Sequence, residues 1–178
     1  MVGPRGDERA WIRGAQSGSV SDLEALFRHH WPRAYRAAYL VVHDSAAAED
    51  IAQEAFLAAV RGLDRFDRRR PFGPWLHRIV VNRAIDWSRS RALRRESGDA
   101  WLDLVAAPAL PESEHAQTLE AALADLSPEH RAVIVMRHLL EYTPGEIAEA
   151  LGLPRGTVNS RLRRGLDELA GRLEQDVQ

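Results

Sequence analysis

Between Arg155 and Arg164 the chain reads RGTVNSRLRR. On a helix Arg155, Asn159 and Arg163 share one face, with Thr157, Ser160 and Arg164 beside them. None of these side chains belongs in a core. Arginine grips guanine edges or phosphates bidentately and asparagine suits adenine, so such a face fits the major groove of DNA. The opposite stripe, Val158, Leu162, Leu166, Leu169 and Leu173, is apolar. An ordinary amphipathic bundle helix would show the same stripe. The segment before it favours DNA. Thr143-Pro144-Gly145-Glu146 is a helix start with an N-cap, a first-turn proline and a glutamate at the capping-box position. Ile147, Ala148 and Leu151 form an apolar face, Gly152 suits a left-handed C-cap, Leu153 can plug the core, and Pro154 can open the next helix. Two short helices about such a turn read as a helix-turn-helix.

A second group lies in LDRFDRRRPFGPWLHRIVVNRAIDWSRSR, residues 63–91. Phe66 and Phe72 are interleaved with Arg68, Arg69 and Arg70. Aromatic rings among arginines suit single-stranded nucleic acid, because unpaired bases stack on rings while guanidinium groups hold phosphates. The same rings could instead be core residues of a small bundle, and the sequence leaves both readings open. Trp75 reads as core. Further on, Leu76, Ile79, Val80, Ala84 and Trp87 can pack inward, while Arg78, Asn82, Asp86 and Arg89 share another face.

The elements that must position these groups are helical. SDLEALFRHHW carries Ser21 and Glu24 at capping-box spacing, Pro32 can kink or restart the helix, and the pattern resumes from Ala34 to Val42. Residues 46–61 read as a second helix, on which Asp50, Gln53, Glu54 and Leu57 share a face suited to a basic protein partner. A third helix runs from about Pro74 to Arg95, and others span about 118–125, 129–140, 144–151 and 155–174. The expected architecture is all-α, with two small helical bundles at 1–95 and 118–178. The acidic stretch 96–117, with Ser97-Gly98, Pro108 and Pro111, is the expected flexible linker.

Composition narrows the function classes. The net charge is only −2, but residues 61–95 carry eleven arginines against Asp64, Asp67 and Asp86. Residues 96–126 carry seven acids and no base. A basic block between acidic ones suits a polyanion flanked by other partners, although solvated helix faces would look similar. There is no cysteine, which removes disulfides, thiolate metal sites and thiol catalysis. No run of eighteen apolar residues occurs, and the first residues lack the apolar core of a secretory signal, so a cytoplasmic protein without membrane contact is expected. The seven histidines form no metal pattern, and no phosphate-binding, dinucleotide-binding or hydrolase motif is present. No cofactor, metal or catalytic residue is expected.

At this point AEDIAQEAF, FDRRRPFGPWLHRIVVNRAIDWSR and EIAEALGLPRGTVNSRLRRG, in that order, resemble an extracytoplasmic-function (ECF) sigma factor of the sigma-70 family. The resemblance covers about Ser21 to Leu173. It implies sigma domain 2 at 1–95 and sigma domain 4 at 118–178, core RNA polymerase and promoter DNA as partners, and an anti-sigma factor as inhibitor. It implies that Asp50, Gln53 and Glu54 dock on polymerase. Phe66, Arg68, Arg69, Arg70 and Phe72, with Arg78, Asn82, Arg83 and Asp86, would hold the single-stranded −10 element. Arg155, Thr157, Asn159, Ser160, Arg163 and Arg164 would read the −35 element as duplex. The acidic 96–117 stretch would run toward the RNA exit channel. Gly73-Pro74 and the three successive arginines depart from the family pattern in the −10 loop.

A stand-alone helix-turn-helix regulator would use the same C-terminal residues, but it leaves the acidic helix and the aromatic-arginine loop unexplained. It would normally dimerise to read two half-sites, whereas a sigma factor is expected to be monomeric when free and to sit at the nucleoid. Because trapping an unpaired base costs unstacking energy, the isolated chain is expected to bind DNA weakly. An adaptor that binds polymerase without melting DNA would share the docking helix.

Overall fold

The computed structural model describes residues 4–96 and 114–176. Most of the expected linker, 97–113, lies outside the described residues, and with it the expected course toward an exit channel. Eight α-helices account for the fold, and no strand occurs among the described residues: α1 (Pro4–Gln16), α2 (Val20–Val42), α3 (Ser45–Gly62), α4 (Phe72–Glu96), α5 (Glu114–Ala124), α6 (Pro128–Ile134), α7 (Pro144–Leu151) and α8 (Arg155–Asp176). A short 3-10 turn, Leu63–Arg65, follows α3, and a π-helical turn, Val135–Leu139, extends α6.

Several boundaries differ from the sequence reading. The cap of α2 is Ser19, whose hydroxyl accepts from the Asp22 amide at 3.3 Å, so Ser21 falls inside the first turn. Gly18 explains the shift: its φ of +88° turns the chain directly from α1 into an extended Ser19. α2 runs unbroken through Pro32, with Leu26, His30, Ala34, Ala37, Ala38 and Val41 buried along it. α4 opens at Phe72 and α5 at Glu114, each earlier than the pattern suggests. α1 has no counterpart in the sequence reading. It is held by Ile12, which is fully buried, and by the Gln16 amide, which donates to the carbonyls of Leu63 and Phe66 at 2.8 and 3.1 Å.

α1 to α4 pack around small residues. Ala34, Ala37 and Ala38 of α2 meet a face of α3 built from Ala48, Ala52, Ala55 and Ala59, all essentially inaccessible. Asp44 joins the turn between α2 and α3 to α4. One carboxylate oxygen caps α3 at the Ala47 amide, and the other accepts from Arg91 at 3.3 Å, at the far end of α4. That ion pair is nearly buried on both sides.

In the C-terminal bundle, Ala132 to Met136, Ile147, Val158, Leu162 and Leu169 form the core. Leu166, expected on the apolar stripe, is 39% exposed. Gly165 is buried in its place, and a Cβ there would meet Ile134 Cδ1 at 3.0 Å and His130 Cβ at 3.1 Å. Val158, Leu162, Gly165 and Leu169 keep closer to the helical repeat than a stripe passing through Leu166. The helix-turn-helix is punctuated as its sequence requires. Thr143 and Glu146 form a full capping box, and Gly152 takes φ +64° with its N–H bonded to the Ala148 carbonyl.

The two bundles pack on each other. Arg36 and Tyr39 of α2 reach the buried carboxylate of Glu120 on α5. Arg33 donates to the Leu139 carbonyl at 2.6 Å, and Arg89 of α4 pairs with Glu129 of α6 at 3.0 Å. Thr143→Ala removes the hydroxyl half of the α7 capping box and should cost about 1 kcal/mol in urea denaturation, with Thr143→Ser retaining most of it.

Candidate nucleic-acid interface

The α8 face is open. Arg155, Asn159, Arg163 and Arg164 are exposed, and none of the three arginines has an ion-pair partner among the described residues. Thr157 and Ser160 are half-buried, and the Ser160 hydroxyl donates to the Thr157 carbonyl at 2.9 Å. This leaves a solvated stripe of guanidinium and amide groups on a helix whose other side is locked into the core, an arrangement that can enter a groove.

The loop before α4 is different. Phe66 and Phe72 are buried, at 9% and 3% exposure, and their rings lie 5.8 Å apart. Phe66 sits 4.7 Å from the Trp75 ring, and Phe72 sits 5.1 Å from His30. Of the two readings left open, burial favours the core one for both rings, although Phe66 still lines a cleft against α7. The physical reason is that the loop folds back on the bundle, so its rings pack against Trp75 of α4 and His30 of α2. Arg68, Arg69 and Arg70 remain exposed. Asp67 organises them, its carboxylate accepting from the Arg69 amide at 3.0 Å and its carbonyl from the Arg70 amide at 2.9 Å. Sequence reasoning missed both Asp67 and Gln16. The Asp-x-Arg spacing of an Asx turn could have revealed the first.

On α4, Arg78 and Asp86 are exposed and Asn82 and Arg83 half-buried. The Asn82 amide donates to the Arg78 carbonyl at 2.9 Å and to the Ala150 carbonyl of α7 at 3.2 Å. A base could take the N–H given to Ala150 only if α7 moved away. Arg83 pairs with Glu54 of α3 at 2.5 Å, so the expected docking carboxylate and the expected −10 helix share a contact. Asp50, Gln53 and Glu54 are exposed beside Leu57 and Val60, themselves 54% and 40% exposed, which makes a mixed acidic and apolar surface.

Between the bundles lies a cleft of about 760 Å³. Arg65, Arg70 and Arg78 line it on one side, Glu146 and Glu149 of α7 on the other. The thiol-free chain shows no group of three metal-ligating side chains among the described residues, and no described helix is long and apolar enough to cross a membrane.

Two histidines, the buried His77 and the half-buried His43, face the bundle contact. His77 Nδ1 lies 3.0 Å from the Tyr142 hydroxyl. Burial, with His30 and Arg33 nearby, lowers its pKa to about 3. His43, at the end of α2, is lowered to about 4 by burial and by Arg131 of α6 and Arg36. Burial also pushes the Tyr142 phenol upward.

Comparison with known proteins fits this geometry. Sigma-70 region 2 matches residues 26–94 and Sigma-70 region 4 matches residues 116–169. The ECF RNA polymerase sigma factor SigW of Bacillus subtilis is 34% identical over 91% of this chain and 92% of its own. SigL of Mycobacterium tuberculosis is 32% identical over 93% of this chain and 97% of its own. Among solved structures, the sigma factor RpoE bound to the anti-sigma factor NepR from Bartonella quintana shares the fold, with a TM-score of 0.71 at 23% identity over 87% of this chain and 98% of its own. CnrH in complex with the cytosolic domain of CnrY has a TM-score of 0.69 at 28% identity over 96% of this chain and 99% of its own. The chain belongs to the sigma-70 family of RNA polymerase sigma factors. Within that family its relatives place it in the ECF group, so it directs RNA polymerase to promoters and is not a stand-alone regulator.

These two histidines give a pH prediction. Each returns toward 6.5 when the bundles part, so the open form binds more protons below that value. Closure is then at full strength above pH 6.5 and weakens as pH falls toward 4 and 3. With dyes on Ser90→Cys and Glu174→Cys, energy transfer between the bundles should fall on acidification below pH 6.5. His43→Gln with His77→Gln should remove that dependence, and a wild-type signal flat across this range would contradict it.

Proposed function

We propose that the chain is a transcription initiation factor with three separate working surfaces. Residues 1–95 form the core-docking and −10-melting unit, and residues 118–178 form the −35 reader. The α3 face of Asp50, Gln53 and Glu54, with the exposed Leu57, docks on core RNA polymerase. Arg68, Arg69, Arg70, Arg78, Asn82, Arg83 and Asp86 hold the melted −10 strand, while Phe66 and Phe72 hold the loop that carries the first three. Arg155, Thr157, Asn159, Ser160, Arg163 and Arg164 read the −35 duplex. The chain works as a monomer in the cytoplasm, at the nucleoid, and performs no catalysis itself.

The observation that carries this reading is the separation of three exposed faces of different chemistry: acidic and apolar on α3, cationic around the α4 loop, cationic with an amide on α8. One polyanion cannot use all three. A protein partner fits the first, single-stranded DNA the second and duplex DNA the third. In the closed chain the second face is obstructed, because α7 accepts an N–H of Asn82 and sets Glu146 and Glu149 opposite its arginines. The closed chain is therefore a holding state, and −10 recognition follows its opening on polymerase. Relatives of this fold are seen with anti-sigma factors, NepR and CnrY, and an anti-sigma partner for this chain would act by favouring a state that withholds these faces.

Run-off transcription with bacterial core polymerase on promoters from the same genome tests the assignment. Asn82→Ala and Arg163→Ala should each cut specific transcripts about tenfold or more, the scale of one lost base contact. Asp50→Arg should abolish co-elution with core. Full activity of all three variants would refute the residue assignments.

A further inference from the structure

Arg9 and Arg13 stand one turn apart on α1, on a helix absent from the pattern that points to the −10 loop. In the fold they lie beside Arg68 and Arg69, and among the described residues these four arginines line an open depression of about 290 Å³. All four are exposed, and none has a carboxylate partner among the described residues. Like charges at i and i+4 destabilise a helix, and four guanidinium groups around one hollow repel one another. The fold nevertheless fixes their positions. Ile12 is buried between Arg9 and Arg13 in sequence, and the Gln16 amide bonds the carbonyls at both ends of the turn that leads to Arg68. Glu8 pairs with His30 at 2.9 Å and so is turned toward α2.

We propose that Arg9, Arg13, Arg68 and Arg69 form a binding site for the phosphodiester backbone of single-stranded DNA, extending the −10 trap onto α1. The inference rests on the sigma reading for its setting. Arg68 and Arg69 directly precede Arg70, which lines the cleft beside Arg78, so a strand held at Asn82 can continue across the loop to α1. Guanidinium groups presented without a base-sized apolar slot recognise phosphates without reading sequence. The site is open in the closed chain, so the free protein can be tested.

The probe is a short fluorescein-labelled oligo(dT), titrated by anisotropy with the full chain over a range of KCl concentrations. Arg9→Gln with Arg13→Gln should weaken binding about tenfold at low salt. It should also reduce the slope of log affinity against log salt by about 1.4, the counterion release of two phosphate contacts on a single strand. Arg68→Gln with Arg69→Gln should do the same, and Arg9→Lys with Arg13→Lys should keep most of the slope. Unchanged thermal melting of these surface variants would show that the fold is intact.

An unchanged slope and affinity for the α1 double variant, beside a reduced slope for the loop double variant, would overturn the site while leaving the sigma reading standing. Displacement of the probe by polyglutamate as readily as by unlabelled oligo(dT) at matched charge would assign the cluster to an acidic protein and also overturn it. Loss of promoter transcription in Asn82→Ala or Arg163→Ala is read separately and bears on the sigma assignment alone.

Discussion

The contact between α4 and α7 governs what the rest of the molecule can do. The N–H that Asn82 donates to the Ala150 carbonyl becomes available to a base only if α7 withdraws. The contact is held by more than that bond. His77 and Tyr142 meet at its edge, Arg33 clasps the Leu139 carbonyl, and Glu120 and Glu129 draw in Arg36 and Arg89. Burying a neutral imidazole and a phenol together avoids the charge penalty that either would suffer if ionised. The surrounding ion pairs are mostly half-exposed, so each contributes modestly and none makes the closed form permanent.

The same electrostatic logic explains which faces stay open. Glu146 and Glu149 confront Arg65, Arg70 and Arg78 across the cleft, where a DNA strand would otherwise bring its own negative charge. α7 thus stands in for the ligand by charge as well as by position. Arg155, Arg163 and Arg164 of α8 and Arg9, Arg13, Arg68 and Arg69 face solvent with no ion-pair partner among the described residues, so in the proposed function long-range attraction to DNA would survive closure. In the proposed function α3 would join this balance through Glu54 and Arg83, since a partner that took the carboxylate would release the arginine.

Much of this was legible in the sequence because local rules governed it. Thr143, Pro144, Glu146 and Gly152 punctuate α7 as their chemistry requires, and the α8 face is exposed where Arg155, Asn159 and Arg163 recur at helical spacing. The failures came where distant segments decided the outcome. Phe66 and Phe72 lie among arginines in sequence, yet three-dimensional packing gives them Trp75 and His30 as neighbours. Leu166 lost its place in the core to Gly165, because α6 approaches too closely there for a side chain. α1 escaped notice because the contacts that tie it down, Ile12, Trp11, the Gln16 amide and the Glu8–His30 pair, depend on residues of other helices and the loop rather than on a periodic signal. The packing of one bundle on the other depends on pairs such as Arg89 with Glu129, forty residues apart, which no local pattern reveals.

The central claim is that the chain must open before it can use its −10 surface. Arg89 and Glu129 join α4 to α6 outside every proposed DNA contact, and the absence of native cysteine allows Arg89→Cys with Glu129→Cys to be bridged by a cleavable bis-maleimide. Promoter-specific transcription by core polymerase would be measured with the bridged protein, before and after cleavage. The account predicts no specific transcript from the bridged chain and recovery once the link is cut. Transcription by the bridged chain equal to that of the cleaved one would contradict it.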